Sequence, residues 1–153
     1  MDYLIIVRHG EYDKRSSHLT REGRTAVGRL TRSLQQVFRG KSFLLFSSSA
    51  IRARETATIL GRRLGVCCKA YRFLRSTKAL TRRQLLGAVN LIRRCRQKTD
   101  VIILVTHLEF VRDLPVYVGQ KELNVNFPRR VVDKGGACVI NFHKKEANFI
   151  DTP

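Results

Sequence analysis

Apolar residues gather in three short unbroken runs, at Tyr3 to Val7, Ser42 to Ser47 and Val101 to Thr106. Runs of this length without polar alternation predict strands covered on both faces. Between them the apolar spacing changes to three and four. Val27, Leu30, Leu34, Val37 and Phe38 share one helical face, with Thr20 placed to cap the start and Gly40 to close the end. Ala53, Ala57, Leu60 and Leu64 form a second stripe ending at Gly65. Leu85, Val89 and Ile92 form a third, behind Thr81 as cap. Near the end, "ACVINF" and "ANFI" flank the polar "HKKE", which predicts a hairpin or edge pair.

The order strand, helix, strand, helix, helix, strand predicts a three-layer α/β/α sandwich with a mostly parallel central sheet. No repeat, low-complexity tract or linker divides the 153 residues, so a single domain spanning 1–153 is expected. No apolar run is long enough to cross a bilayer, and no signal-peptide pattern opens the chain. A cytoplasmic protein without membrane contact is the expectation. Oligomeric state is not legible.

Composition changes the picture at one point. Thirty Lys and Arg against twelve Asp and Glu give a net charge of +18. From Thr56 to Thr99 there is no acidic residue, while that span carries twelve Lys or Arg. Such a field attracts anionic substrates and polyanions. Nucleic acid is the weaker candidate, because Tyr71 and Phe73 are the only aromatics there to interleave with the cations. The four cysteines, Cys67, Cys68, Cys95 and Cys138, have no metal-ligand spacing and predict buried reduced thiols.

In parallel sheets ligands bind beyond the carboxyl ends of the strands. Arg8 and His9 follow the first strand, Ser47 to Arg52 the second and His107 the third, so three strand ends deliver phosphate-compatible groups to one edge. Four stretches carry a family resemblance: "VRHGE" at Val7 to Glu11, "LTREG" at Leu19 to Gly23, "SSSAIRARETA" at Ser47 to Ala57, and "VTH" at Val105 to His107. Together they resemble the R-H-G, L-T-x-x-G and R-A-x-x-T motifs and the second-histidine strand of the histidine phosphatase superfamily. The matched pieces run from residue 3 to 107.

The resemblance implies a phosphoglycerate mutase-like fold and a phosphatase that needs neither metal nor cofactor. It makes His9 the nucleophile that becomes phosphorylated, Arg8 and Arg52 phosphate-binding forks, and His107 the second histidine that donates to a phosphate oxygen. These roles suit the groups: a neutral imidazole can attack phosphorus, and guanidinium forks match phosphate oxygens. Thr20 and Gly23 read as structural, Arg54 as a surface charge. Glu55 either braces Arg52 or lies on a solvated face.

The match breaks at the general acid. Many members place a glutamate between the R-A-x-x-T helix and the second-histidine strand, which here is the acid-free span. The acid-phosphatase branch places an aspartate directly after its second histidine, where this chain has Leu108. Glu109 is the nearest candidate, with Glu11 and Asp13 behind it. The short chain leaves little room for the enclosing insertions of the mutases, so hydrolysis is favoured, as in the phosphohistidine phosphatase branch. A phosphorylated substrate, including an acidic phosphoprotein, is the expected partner. The alternative is a basic binding module for nucleic acid or an acidic phosphoprotein, with an idle or regulatory phosphatase site.

Overall fold

Alternation along the buried strands builds the two faces of the sheet. The structure is a computed structural model that describes residues 1–76 and 78–151. Strands β1 (Tyr3–Arg8), β2 (Phe43–Ser48) and β4 (Val101–Thr106) lie at its centre. Successive side chains point to opposite faces, so Leu4, Ile6, Ile102 and Leu104 enter one core while Ile5, Val7, Ile103 and Val105 enter the other. Helices α1 (Arg21–Val37) and α2 (Ile51–Leu64) cover the second face with Leu30, Leu34, Ala53, Ala57 and Leu60. Helices α3 (Arg82–Cys95) and α4 (Leu108–Val118) cover the first with Ala88, Val89, Ile92, Phe110, Val111 and Leu114.

The sheet order is β3-β2-β4-β1-β5-β6, where β3 is Cys68–Tyr71, β5 is Ala137–Asn141 and β6 is Glu146–Ile150. The pairings among β3, β2, β4 and β1 are parallel; β5 and β6 add antiparallel at one side. This is the expected three-layer sandwich with a mostly parallel sheet, and the expected terminal hairpin. Arg8 pairs with Thr106 across β1 and β4, and Ser47 with Val105 across β2 and β4. That register brings the residues following three strands to a common edge.

Local chemistry sets the helix ends. The Thr20 hydroxyl accepts from Gly23 N at 3.0 Å, and Thr81 with Gln84 forms a reciprocal capping box. Gly65 ends α2 in the left-handed region, as a closing glycine does. Three details depart from expectation. Val37 is 73% exposed at the last position of α1, where Phe38 instead is buried against the Tyr3 ring. Cys67 and Cys68 are exposed at the β3 edge, so of the four thiols only Cys138 is fully buried, with its pKa pushed up to about 12 by burial. Strand β3 and helix α4 carried no clear pattern of their own. Among the described residues no helix is long and apolar enough to cross a membrane.

Candidate active site

The loop after β1 is fixed from three sides. Gly10 N donates to Thr56 Oγ1 at 3.1 Å, which ties the R-H-G stretch to the threonine of R-A-x-x-T on α2. Thr20 N donates to the Glu11 carbonyl at 3.0 Å, and a Cβ at Gly23 would overlap that same carbonyl oxygen. The glycine of L-T-x-x-G is therefore the close-approach point between α1 and this loop. From the third side Gly135 N donates to the carbonyls of Arg8 and His9, each at 3.1 Å, with its own φ at +85°.

This scaffold gathers Arg8, His9, Arg52, His107 and Glu109 around one cavity of about 250 Å³, together with Tyr12, Ser76, Leu108 and Lys134. All five residues singled out from the sequence line it. The two imidazoles stand 5.3 Å apart, and one guanidinium joins them. Arg52 Nε donates to His9 Nε2 at 3.0 Å and Arg52 Nη2 donates to His107 Nδ1 at 3.2 Å.

These partners determine the protons. Arginine only donates and a carbonyl only accepts. His9 Nδ1, 2.9 Å from the Gly10 carbonyl, must carry hydrogen, and His9 Nε2 must present its lone pair. His107 is the reverse: Nδ1 accepts, so Nε2–H donates to Ser48 Oγ at 2.9 Å. Burial is the main cause holding both rings neutral, with neighbouring cations adding to it. The His9 pKa falls to about 4, the Gly10 carbonyl partly offsetting burial, and that of His107 to about 3.

A measurable consequence concerns pH. The imidazole nitrogens of His9 should keep the shifts of the neutral Nδ1–H form until the pH nears 4, when followed by ¹⁵N NMR. Unfolded, both histidines titrate near 6.5, so the unfolded chain binds more protons between there and the folded values. Stability is full above pH 6.5 and is lost as the pH falls, His9 alone contributing about 3 kcal/mol by pH 4. A midpoint for His9 near 6.5 in the folded protein contradicts this electrostatic picture.

The other cations are arranged differently. Arg8 Nη1 donates to the Val132 carbonyl at 2.7 Å, while its buried Nε has no hydrogen-bond partner. Burial lowers the Arg8 pKa, and the charges of Asp133, Glu109 and Glu11 oppose that. Lys134 Nζ reaches both oxygens of Glu11 at 2.6 and 2.9 Å and lies 5.2 Å from the centre of the Tyr12 ring. The guanidinium carbon of Arg52 is 4.5 Å from that ring centre. Helices α2 and α4 both begin at this edge without a side-chain cap, leaving N–H groups available to an anion.

Sequence reasoning missed Tyr12, Ser76 and Lys134. Ser76 Oγ is buried at the cavity and lacks a partner, as Arg8 Nε does. The only signal for Lys134 was its place before Gly135 and Gly136, whose turn carries it in. Glu55 does not brace Arg52. It accepts from Leu19 N at 2.7 Å and pairs with His18 and Arg24, holding the "HLT" segment against α2. Among the described residues no group of three or more His, Cys, Asp or Glu could hold a metal ion.

Residues 4–79 match the family model described as histidine phosphatase superfamily (branch 1). No curated protein matches the chain. Among solved structures, a mycobacterial glucosyl-3-phosphoglycerate phosphatase superposes with a TM-score of 0.72 at 15% identity, covering 99% of each chain. The protein histidine phosphatase SixA, complexed with tungstate, gives 0.70 at 15% identity over 96% of this chain and 93% of its own. The putative phosphohistidine phosphatase SixA from Agrobacterium tumefaciens gives 0.65 at 16% identity, over 99% and 97%. At these identities the likeness is one of fold.

Proposed function

We propose that this chain, which belongs to the histidine phosphatase superfamily and is a phosphatase by that membership, works through a phosphohistidine on His9. Its substrates carry a good leaving group, phosphohistidine foremost. The observation that supports this most is the proton placement on His9: two independent partners leave the Nε2 lone pair as the one nucleophilic atom, beside Arg52.

In the first half-reaction Nε2 bonds to phosphorus as the bond to the leaving group breaks. The ring becomes cationic, and the Gly10 carbonyl on Nδ1–H stabilises that charge. Arg52 gives up its ring contacts to hold the phosphoryl oxygens with its fork, and the uncapped helix starts favour the same anion. His107, with a pKa near 3 beside His9 and Arg52 alone, becomes a donor once a bound anion raises that value. It then takes the proton of a phosphate monoanion on Nδ1 and returns it as a hydrogen bond. In the second half-reaction water attacks the phosphohistidine, a proton leaves, phosphate departs and His9 is neutral again.

The test is covalent trapping. Brief incubation with labelled phosphoramidate should leave a phosphoryl group on the peptide containing His9, labile in acid and stable in alkali. A label stable in acid, or one on another residue, rules out the phosphohistidine route.

A further inference from the structure

A second cavity opens on the face of α3, near the first. It measures about 590 Å³ and is lined by Phe73, Arg82, Arg83, Leu86, Gly87 and Asn90. Its floor is apolar: Leu86 is 39% exposed, and the Phe73 ring lies against Gly87, where a Cβ would come within 3.1 Å of it. Its rim is cationic, with Arg82 and Arg83 both exposed. Among the described residues neither arginine has an ion-pair partner. No acid from Thr56 to Thr99 is available to neutralise them.

The groove is tied to the catalytic cavity through the backbone. Phe73 belongs to the short helical turn Arg72–Leu74, and Thr106 Oγ1, next to His107, donates to the Leu74 carbonyl at 2.7 Å. Ser76, three residues from Phe73, lines the catalytic cavity. Three residues span at most about 11 Å. Exposed Arg72, Arg75 and Lys78 add positive charge to the same stretch of chain, and the charge of Arg75 acts on His107.

We infer that this groove docks an acidic segment of a phosphorylated protein while the phosphoryl group occupies the His9 cavity. Asp or Glu side chains meet Arg82 and Arg83, and an apolar side chain covers Phe73 and Leu86. A protein segment fits better than a nucleic acid. Phe73, packed on Gly87 and 5.2 Å from the Tyr71 ring, is the one aromatic among the residues lining this cavity, whereas a single strand needs several rings for successive bases. The inference rests on the phosphatase reading above and adds the substrate class to it.

The probe is a phosphotyrosyl peptide with Glu, Glu and Leu placed three to six residues from the phosphate, compared with phenyl phosphate. The double variant R82E/R83E should lower kcat/KM on this peptide about 10-fold, mainly through KM, and leave phenyl phosphate within about 2-fold. Replacing the two glutamates by lysine should remove the preference of the native protein over the variant. Fluorescence anisotropy of the unphosphorylated acidic peptide separates docking from chemistry. Binding that weakens in R82E/R83E supports the groove even if no phosphatase activity is found, and that outcome sinks only the catalytic reading. Equal kinetic effects on both substrates, or peptide binding unchanged in the variant, overturn the docking site. So does a single-stranded oligonucleotide that binds the groove more tightly than the peptide and displaces it.

Discussion

Turnover of phenyl phosphate by His9→Ala is expected to fall at least about 10⁴-fold, with no trapped phosphoryl group. The size follows from the arrangement. Nε2 of His9 is the lone pair that Arg52 and the Gly10 contact both orient, and its removal leaves only charged groups that bind phosphate. Arg52→Lys should keep the fold and lose about 10²- to 10³-fold, because an ammonium is a point charge and cannot hold two phosphoryl oxygens as a planar fork does. Stability separates chemistry from misfolding. His9→Ala removes a group that is buried neutral, so the variant should tolerate acid better than the native chain between pH 6.5 and 4. Residual activity within tenfold of native, in a variant that melts normally, removes His9 from the mechanism.

Strands β1, β2 and β4, the terminal hairpin and the first three helices were legible because burial imposes its period directly on the sequence. Val101 to Thr106 is buried throughout, and its apolar run reads the same way. The β3 edge was not legible, since Cys68, Lys69 and Ala70 are exposed and no hydrophobic pattern is required there. Arg8, His9, Arg52 and His107 could be grouped because each follows or lies close behind a strand end, and parallel register then makes them neighbours. Lys134 and Ser76 could not. They reach the cavity through a glycine turn hydrogen-bonded to β1 and through a short helical turn anchored at Thr106, and neither contact has a local signature. Glu55 shows the converse error: spacing of three along a helix permits a pair with Arg52, but the backbone N–H of Leu19 is the partner the fold presents.

The absent general acid yields the second large effect. Glu109 lines the cavity, whereas Glu11 is held by Lys134 through both oxygens and Asp13 by Arg15 N and Ser16 on the exposed loop. Neither of those two is free to deliver a proton. An alkoxide leaving from a sugar phosphate needs one as the bond breaks, and a positioned acid supplies roughly 10²- to 10⁴-fold for such a step. Phosphohistidine, protonated on its other nitrogen, leaves as a neutral imidazole whose conjugate acid has a pKa of about 6.5. Phenolates and carboxylates are also stabilised without a donor. Phosphoramidate, phosphohistidine and aryl phosphates should therefore turn over at least about 10²-fold faster than sugar phosphates or phosphoglycerate. On these good leaving groups Glu109→Gln should change kcat by less than about threefold, since no proton is required of it. A panel run with native protein and Glu109→Gln decides the matter. Sugar phosphates cleaved as fast as phosphohistidine, with the advantage lost in Glu109→Gln, make Glu109 the acid and withdraw the preference for phosphohistidine.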